Sequence, residues 1–189
     1  MCDKLSNTSE SDSDTMADTS DTKALDKKLL DACGRGNLSL AQAAVREGGN
    51  INCIDSDGWT PIMVAMFYRQ QPVIKWLLSV DTLNTNIGQT VNSDTCLHYA
   101  CLFCDSDIVR EVVRRSEGGR VNQVNPDNHY TPVQVAVIEG NVGAVVGMMG
   151  DETVDWGVTD KEGRSLLEMA RYGMVVLCQY GIGLGYYRI

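Results

Sequence analysis

Apolar residues recur along most of the chain at the spacing expected of short amphipathic helices. Residues 73–78 and 108–113 each place aliphatic side chains on one helical face and charged or polar ones on the other. Glycine follows such segments, as at Gly48-Gly49 and Gly118-Gly119, where it is typical of a helix end. The pattern therefore predicts a succession of short helices joined by turns, which is an all-α fold.

One block of residues returns at a regular interval within this pattern. A hydroxyl residue is followed two positions later by an aliphatic residue and five positions later by an alanine, as in Thr60, Ile62 and Ala65. The alanines of four such blocks, with one earlier alanine in phase, are spaced by 33, 35, 36 and 34 residues: Ala32, Ala65, Ala100, Ala136 and Ala170. Self-similarity at this period indicates a solenoid of stacked units.

Each period has the same internal order. It begins with a turn such as residues 55–58, Asp-Ser-Asp-Gly, in which the glycine supplies the positive φ of a tight turn. A hydroxyl residue then caps a short helix, and proline occupies the first helical position at Pro61 and Pro132. A second apolar-periodic helix follows, so each unit is predicted to be a turn and a pair of helices.

This arrangement resembles the ankyrin repeat, in which a turn glycine precedes Thr-Pro-Leu-His-x-Ala and a second helix follows. The best matches are Trp59-Thr60-Pro61 and residues 95–100, Thr-Cys-Leu-His-Tyr-Ala. The resemblance covers residues 24–173 and implies an all-α solenoid of helix–turn–helix units with β-hairpin fingers. The repeats that it implies are about 24–54, 55–89, 90–125, 126–159 and an incomplete 160–180.

Several positions depart from the ankyrin pattern. Three repeats lack the motif histidine and carry Met63, Gln134 or Glu168 in its place. His98 keeps the motif, and the resemblance implies that it bonds to the neighbouring finger. Ser93 and His129 replace the turn glycine, which predicts some backbone strain.

The first 22 residues differ in composition from the repeats. They carry six acidic residues against Lys4 alone, and they lack the apolar residues that would offset the entropy of ordering. We expect residues 1–22 to form a disordered, acidic, Ser/Thr-rich tail. Ser9, Ser11 and Thr15 each precede an acidic residue by three positions, a spacing that suits an acidophilic kinase. The alternative is a solvated tail that is never modified.

The last repeat departs furthest from the pattern. Glycine at positions 181, 183 and 185 breaks any helix there, so we expect residues 181–189 to form a loose C-terminal tail. A solenoid normally ends in a polar cap, and this end is apolar. We expect the chain to be a shortened version of a longer one; the alternative is that another element covers this end.

Net charge limits the kinds of partner that the chain can bind, and the cysteine content indicates its compartment. Lys and Arg total 16 and Asp and Glu total 25, and the formal net charge of −9 argues against a nucleic-acid or anionic-membrane surface. We find no secretory signal and no apolar run long enough to span a membrane. The seven cysteines are an odd number, which predicts reduced thiols in the cytoplasm or nucleus. We also expect a monomer.

The candidate chemistry is sparse. The chain has two histidines, His98 and His129, and no Ser–His–acid or Cys–His–acid set can be assembled around them. His98, Cys101 and Cys104 share one short helix but would need a fourth ligand to hold zinc, and the thiol pair lies at the wrong helix end for redox chemistry. We interpret the two cysteines as packing residues, with a metal or redox site as the alternative, and we predict no cofactor and no catalytic residues.

The resemblance implies that partner contacts come from the turns, from the residue before the motif threonine and from the residues after the motif alanine. Six of the twelve aromatic residues fall at these positions, as aromatic anchors of a protein-binding surface would. The predicted partner-binding residues are Trp59, Phe67, Tyr68, Asp94, Phe103, Tyr130, Glu139, Arg164 and Tyr172.

These observations favour a non-enzymatic scaffold, adaptor or inhibitor. We predict that it binds another protein through the concave face made by the fingers and the first helices. One alternative is a regulatory ankyrin segment of a larger signalling or catalytic protein. The other is a thiol or zinc site at Cys101 and Cys104. We expect neither a nucleic acid nor a membrane as partner.

Overall fold

The computed structural model describes residues 14–88, 90–117 and 120–171. Across these ranges the chain folds into short helices that follow one another in pairs. The α-helices are α1 (Asp14–Gly34), α2 (Leu38–Arg46), α3 (Pro61–Phe67), α4 (Gln71–Leu78), α5 (Cys96–Phe103), α6 (Ser106–Arg115), α7 (Pro132–Ile138) and α8 (Val142–Met148). A 3-10 turn spans Arg120–Asn122, and residues 166–171 are helical.

The helix pairs stack so that the first helices lie against one another. α1 contacts α3, α3 contacts α5 and α5 contacts α7, while α2 lies against α4 and α6 against α8. The two helices of each pair also pack on each other. Each unit therefore covers the apolar face of the next, and the expected all-α solenoid is confirmed.

Capping residues start the first helix of each unit even where the motif histidine is absent. Thr131 and Gln134 form a reciprocal capping box, in which the Gln134 side chain accepts the Thr131 N–H at 2.8 Å. Glu168 accepts the N–H of Ser165 at 2.8 Å in the same way, at the start of residues 166–171. Gln and Glu can replace His here because each offers an acceptor at the third helical position.

The fingers are tight turns, which corrects the expectation of β-hairpins. No strand occurs in the parts of the chain that the structure describes, where an isolated bridge joins Thr159 to Ser165. In the second repeat, the Asp55 carboxylate accepts the backbone N–H groups of Asp57 at 3.0 Å and Trp59 at 2.9 Å. The Asp55 N–H also donates to the Trp59 carbonyl oxygen at 3.1 Å, so one backbone hydrogen bond and the Asp55 side chain close the turn without a paired strand.

Asparagine side chains join equivalent loops of successive units. The Asn52 amide donates to the carbonyl oxygen of Thr82 at 2.8 Å, and its oxygen accepts the N–H of Asn84 at 2.8 Å. Asn86 and Asn122 each make the same two-way bridge to the following unit. The bridges connect the units through side chains, where a β-sheet would use backbone hydrogen bonds.

Ser93 and His129 adopt the left-handed backbone that their positions demand. Their φ angles are 63° and 64°, close to the 84° of Gly58 and the 76° of Gly163 at the equivalent points of other repeats. An L-residue loses roughly 1–2 kcal/mol in this conformation. The turn geometry is thus the same in four units, and two of them keep it at the predicted cost in strain.

Part of the expected acidic tail is helical. α1 begins at Asp14, so residues 14–22 lie in a helix whose other end buries Leu29 and Ala32. The packed end supplies a nucleus on which the helix extends towards residue 14. Of the expected modification sites, Thr15 lies in the first turn of α1. Ser9 and Ser11 lie outside the described residues, as do residues 181–189.

Candidate partner-binding face

The turns and the partly exposed sides of α3, α5 and α7 form a surface that we call the first-helix face. Tyr68, at the end of α3, is 52% exposed. The other expected residues found on this face are partly buried: Trp59, Phe67, Phe103, Tyr130 and Glu139. Six of the nine predicted partner-binding residues therefore present some surface here.

Five rings form a continuous aromatic cluster, made of Trp59, Phe67, Tyr68, Tyr99 and Phe103. Phe67 lies at its centre, with ring centroids 5.3 Å from Trp59, 5.1 Å from Tyr68 and 5.7 Å from Phe103, all near edge-to-face. The buried Tyr99 supports Trp59 from below at 4.9 Å. Edge-to-face pairs of this kind stabilise beyond their buried area, so the aromatic cluster is a firm surface that spans two repeats.

Sequence reasoning missed Tyr99 and Arg69, which complete this surface. The Arg69 guanidinium carbon lies 5.0 Å from the Phe103 ring centroid, a cation–π arrangement. Arg69 has a φ of 56° and stands where other units place Gly36 and Gly140 in the turn between two helices. The sequence shows that Arg69 replaces a turn glycine, which marks it as an unusual residue. It does not show in which direction the Arg69 side chain points.

A groove of ≈ 520 Å³ lies between α1 and α3, beside the aromatic cluster; we call it the first groove. Carboxylates from α1 and from the turn face the rings across it. Its charged and aromatic lining residues are Asp31, Arg35, Asp55, Asp57, Trp59, Phe67 and Tyr68. Three carboxylates against one guanidinium make the groove acidic.

A second groove of ≈ 400 Å³ lies on the same face between α5 and α7. Leu102 and Ile138 supply its apolar walls, and Tyr130 and Glu139 its polar ones. The Glu139 carboxylate makes no hydrogen bond or ion pair with any described residue, and burial raises its pKa. An acidic side chain without a partner thus stands in a half-buried apolar setting.

Asp94 is buried at the base of the second groove, which corrects its expected role as a partner contact. It is 4% exposed and accepts a hydrogen bond from the Asn125 amide at 2.7 Å. Burial raises the pKa of its carboxyl group. Since Asn125 also closes the next turn through its hydrogen bond to Tyr130, Asp94 holds one finger against another.

His98 has the structural role that the resemblance implies. Its Nδ1 accepts the Thr95 N–H at 3.2 Å and lies 2.8 Å from the Thr95 hydroxyl, which assigns the proton to Nε2. Nε2 donates to the Tyr130 carbonyl oxygen of the next repeat at 3.2 Å. Burial lowers the pKa of His98, so the ring stays neutral and both nitrogens are committed.

The last two expected partner-binding residues are not among those found on the first-helix face. The Arg164 guanidinium donates to Asp160 at 2.5 Å and to Glu162 at 3.0 Å, so it is engaged with its own turn. Tyr172 lies outside the described residues.

The buried thiols pack in the core. The Cys101 thiol donates to the sulfur of Met148 at 3.7 Å, and burial raises the pKa of Cys101 and raises that of Cys104 to about 12. Over residues that the structure describes, no three His, Cys, Asp or Glu side chains converge as a metal site would require. The geometry at Cys101 and Cys104 lends no support to the zinc or redox alternative.

Comparison with known proteins identifies the repeat. The family model for ankyrin repeats matches residues 29–125 in three copies, just over half of the chain. A search of the curated proteins finds no match. None of the helices described is both long and apolar enough to cross a membrane. The stacked helix pairs and the match to residues 29–125 together place the chain in the ankyrin-repeat family.

Proposed function

We propose that the chain is a non-catalytic module that holds a partner protein on the first-helix face. Ankyrin repeats generally mediate protein–protein interaction. The single observation that carries the proposal is the aromatic cluster, which reaches the surface at Tyr68 and is flanked by a groove. Rigid aromatic anchors beside polar groups are typical of the centre of a protein-binding surface.

The titratable groups support a role without catalysis. His98 is neutral and bonded through both nitrogens, and the thiols of Cys33, Cys53 and Cys104 have pKa values raised to about 12 by burial. A thiol with such a pKa is almost fully protonated at neutral pH and is a poor nucleophile. The described cysteines are free, which supports our proposal of a reducing compartment, the cytoplasm or nucleus.

The test is affinity capture with the tagged full chain, comparing two substitutions of exposed apolar or aromatic residues. Tyr68→Ser removes the exposed ring of the first-helix face, and Val142→Ser removes a 71% exposed side chain from α8 on the other helix layer. We expect Tyr68→Ser to lower the recovery of partners about tenfold or more, as loss of an anchor does. Val142→Ser should leave recovery unchanged. Equal recovery with both variants would refute the proposed face.

A further inference from the structure

We infer that the first-helix face takes a basic segment of the partner, with one arginine or lysine side chain in each of its two grooves. This inference rests on the proposed function and specifies the chemistry of the partner. The charge of the grooves, the rings beside them and the distance between them support it.

The first groove offers carboxylates that the fold leaves uncommitted. Asp55 is occupied by the N–H groups of its own turn. Asp31 and Asp57 are exposed and make no side-chain hydrogen bond or ion pair with any described residue. Of the basic residues that the structure describes, Arg35 lines the groove with them. A cationic side chain entering here meets two free carboxylates beside Trp59 and gains charge-assisted hydrogen bonds.

The second groove repeats this chemistry two helices further along the face. Asp94 is committed to Asn125, whereas Glu139 stands half-buried without a partner beside Leu102 and Tyr130. A carboxylate in this setting is costly until a cation reaches it. None of the basic residues that the structure describes lines this groove. An ammonium or guanidinium group would neutralise Glu139 while its aliphatic stem covers the apolar wall.

The aromatic cluster already holds one cation of its own. Arg69 lies over Phe103, 5.0 Å from the ring centroid, so these rings accept a guanidinium group in the folded protein. Trp59 and Tyr68, at the opposite end of the cluster, line the first groove. Attraction from ring faces and carboxylates together selects a flat, charged guanidinium more strongly than an apolar side chain.

The spacing of the grooves sets the spacing of the two cations. The first groove lies between α1 and α3 and the second between α5 and α7, two helix steps away. Packed helices are about 8–10 Å apart, so the grooves are roughly 16–20 Å apart. An extended chain advances about 3.3 Å per residue, which predicts basic residues separated by about five or six positions.

The experiment is selection of a random twelve-residue peptide library on the full chain, followed by binding measurements on the selected peptides. The test variant is the double substitution D57N/E139Q, which removes one uncommitted carboxylate from each groove. The matched control is D81N/E152Q, which removes the same charge at two exposed residues that line neither groove. Urea unfolding of both variants checks that the fold is unchanged.

We expect the selected peptides to be enriched in arginine or lysine at two positions five or six residues apart. D57N/E139Q should weaken their binding by about tenfold or more and flatten its dependence on salt, and D81N/E152Q should not. Selected peptides that lose binding with Tyr68→Ser but carry no basic excess, or bind D57N/E139Q equally, would overturn this inference and leave the proposed function standing. A library that yields no peptide sensitive to Tyr68→Ser would overturn both.

Discussion

The third and fourth repeats differ in the residue three positions after the capping threonine. Both His98 and Gln134 are buried and close a capping box, so both start their helix equally well. They differ in the contact that each side chain makes with the next repeat. His98 donates to the backbone oxygen of Tyr130 at 3.2 Å, whereas the Gln134 amide reaches the sulfur of Met169 at 3.9 Å.

The comparison separates two properties that the ankyrin signature combines. A reciprocal capping box requires an acceptor at the third helical position, and His98, Gln134 and Glu168 supply it. Coupling one unit to the next requires a donor that reaches a strong acceptor, and a thioether sulfur is a weak one. The matched range ends at residue 125, before α7, although helix pairs continue through α8. The helix-pair unit therefore persists beyond the matched range.

The largest expected effect comes from removing the two residues compared. His98→Ala deletes a fully buried ring and removes one of the two donors to the Tyr130 oxygen, which keeps the N–H of Asn125, so we expect a loss of about 3 kcal/mol in the free energy of unfolding. Gln134→Ala removes an amide whose contact with the next unit is a weak one, to the Met169 sulfur, and should cost about 2 kcal/mol or less. Urea unfolding measures both. A larger loss for Gln134→Ala would contradict the comparison.

The pH dependence of the free energy of unfolding also distinguishes His98 from Gln134, because only the histidine titrates. The pKa of His98 is lowered by burial, so its contribution is fully present above the unfolded value of 6.5 and is lost as the pH falls through the folded value. Asp94 has a raised pKa and acts in the opposite direction, since its contribution is lost as the pH rises above its unfolded value of 3.8. His98→Gln keeps the capping acceptor. It should therefore remove the loss in the free energy of unfolding that His98 causes below pH 6.5. An unchanged profile would show that His98 does not titrate with folding.

A smaller effect is expected from the asparagine bridges, which join the second repeat to the third and the third to the fourth in the same way. Asn86→Ala and Asn122→Ala each remove one donor and one acceptor between successive loops, and each should cost about 1–2 kcal/mol in the free energy of unfolding. The structure predicts similar losses, because the two bridges have the same partners in kind. Losses that differ by more than the error of the measurement would place the weaker coupling in these loops as well.

The smallest expected effect is a gain. His129 lies at a φ of 64° in the fourth repeat, where Gly58 serves in the second. His129→Gly relieves the strain but adds freedom to the unfolded chain, so we expect a net stabilisation of about 0.5–1 kcal/mol. Thermal unfolding measures it, with Gly58→Ala as the reverse change. Destabilisation by His129→Gly would show that the imidazole contributes to the turn.

The sequence predicted the repeats well because their signals are local. A capping hydroxyl and a proline at the first helical position are recognised from neighbouring residues alone. Alanines every 33–36 residues show that the same local pattern returns along the chain. The same locality explains why Ser93 and His129 were correctly expected to be strained. Four of the five rings of the aromatic cluster were also expected on this face, since their positions follow from the phase of the repeat.

The errors concern contacts between units and side-chain direction. Asp94 was expected at the surface, but its contact with Asn125 lies 31 residues along the chain and has no local sign. Tyr99 and Arg69 were missed because their contacts with the other rings depend on how two repeats stack. The prediction of β-hairpins was wrong because a single backbone hydrogen bond, with Asp or Asn side chains beside it, closes these turns, and composition alone does not reveal how far strands pair.

Hydrogen exchange of the full chain, with and without a partner recovered by affinity capture, tests the central claim most directly. Backbone amides exchange more slowly where a partner covers or stabilises them. The first-helix face predicts new protection in α3, α5 and α7 and in the turns that carry Asp57 and Tyr130. Protection confined to α2, α4, α6 and α8 would contradict the account.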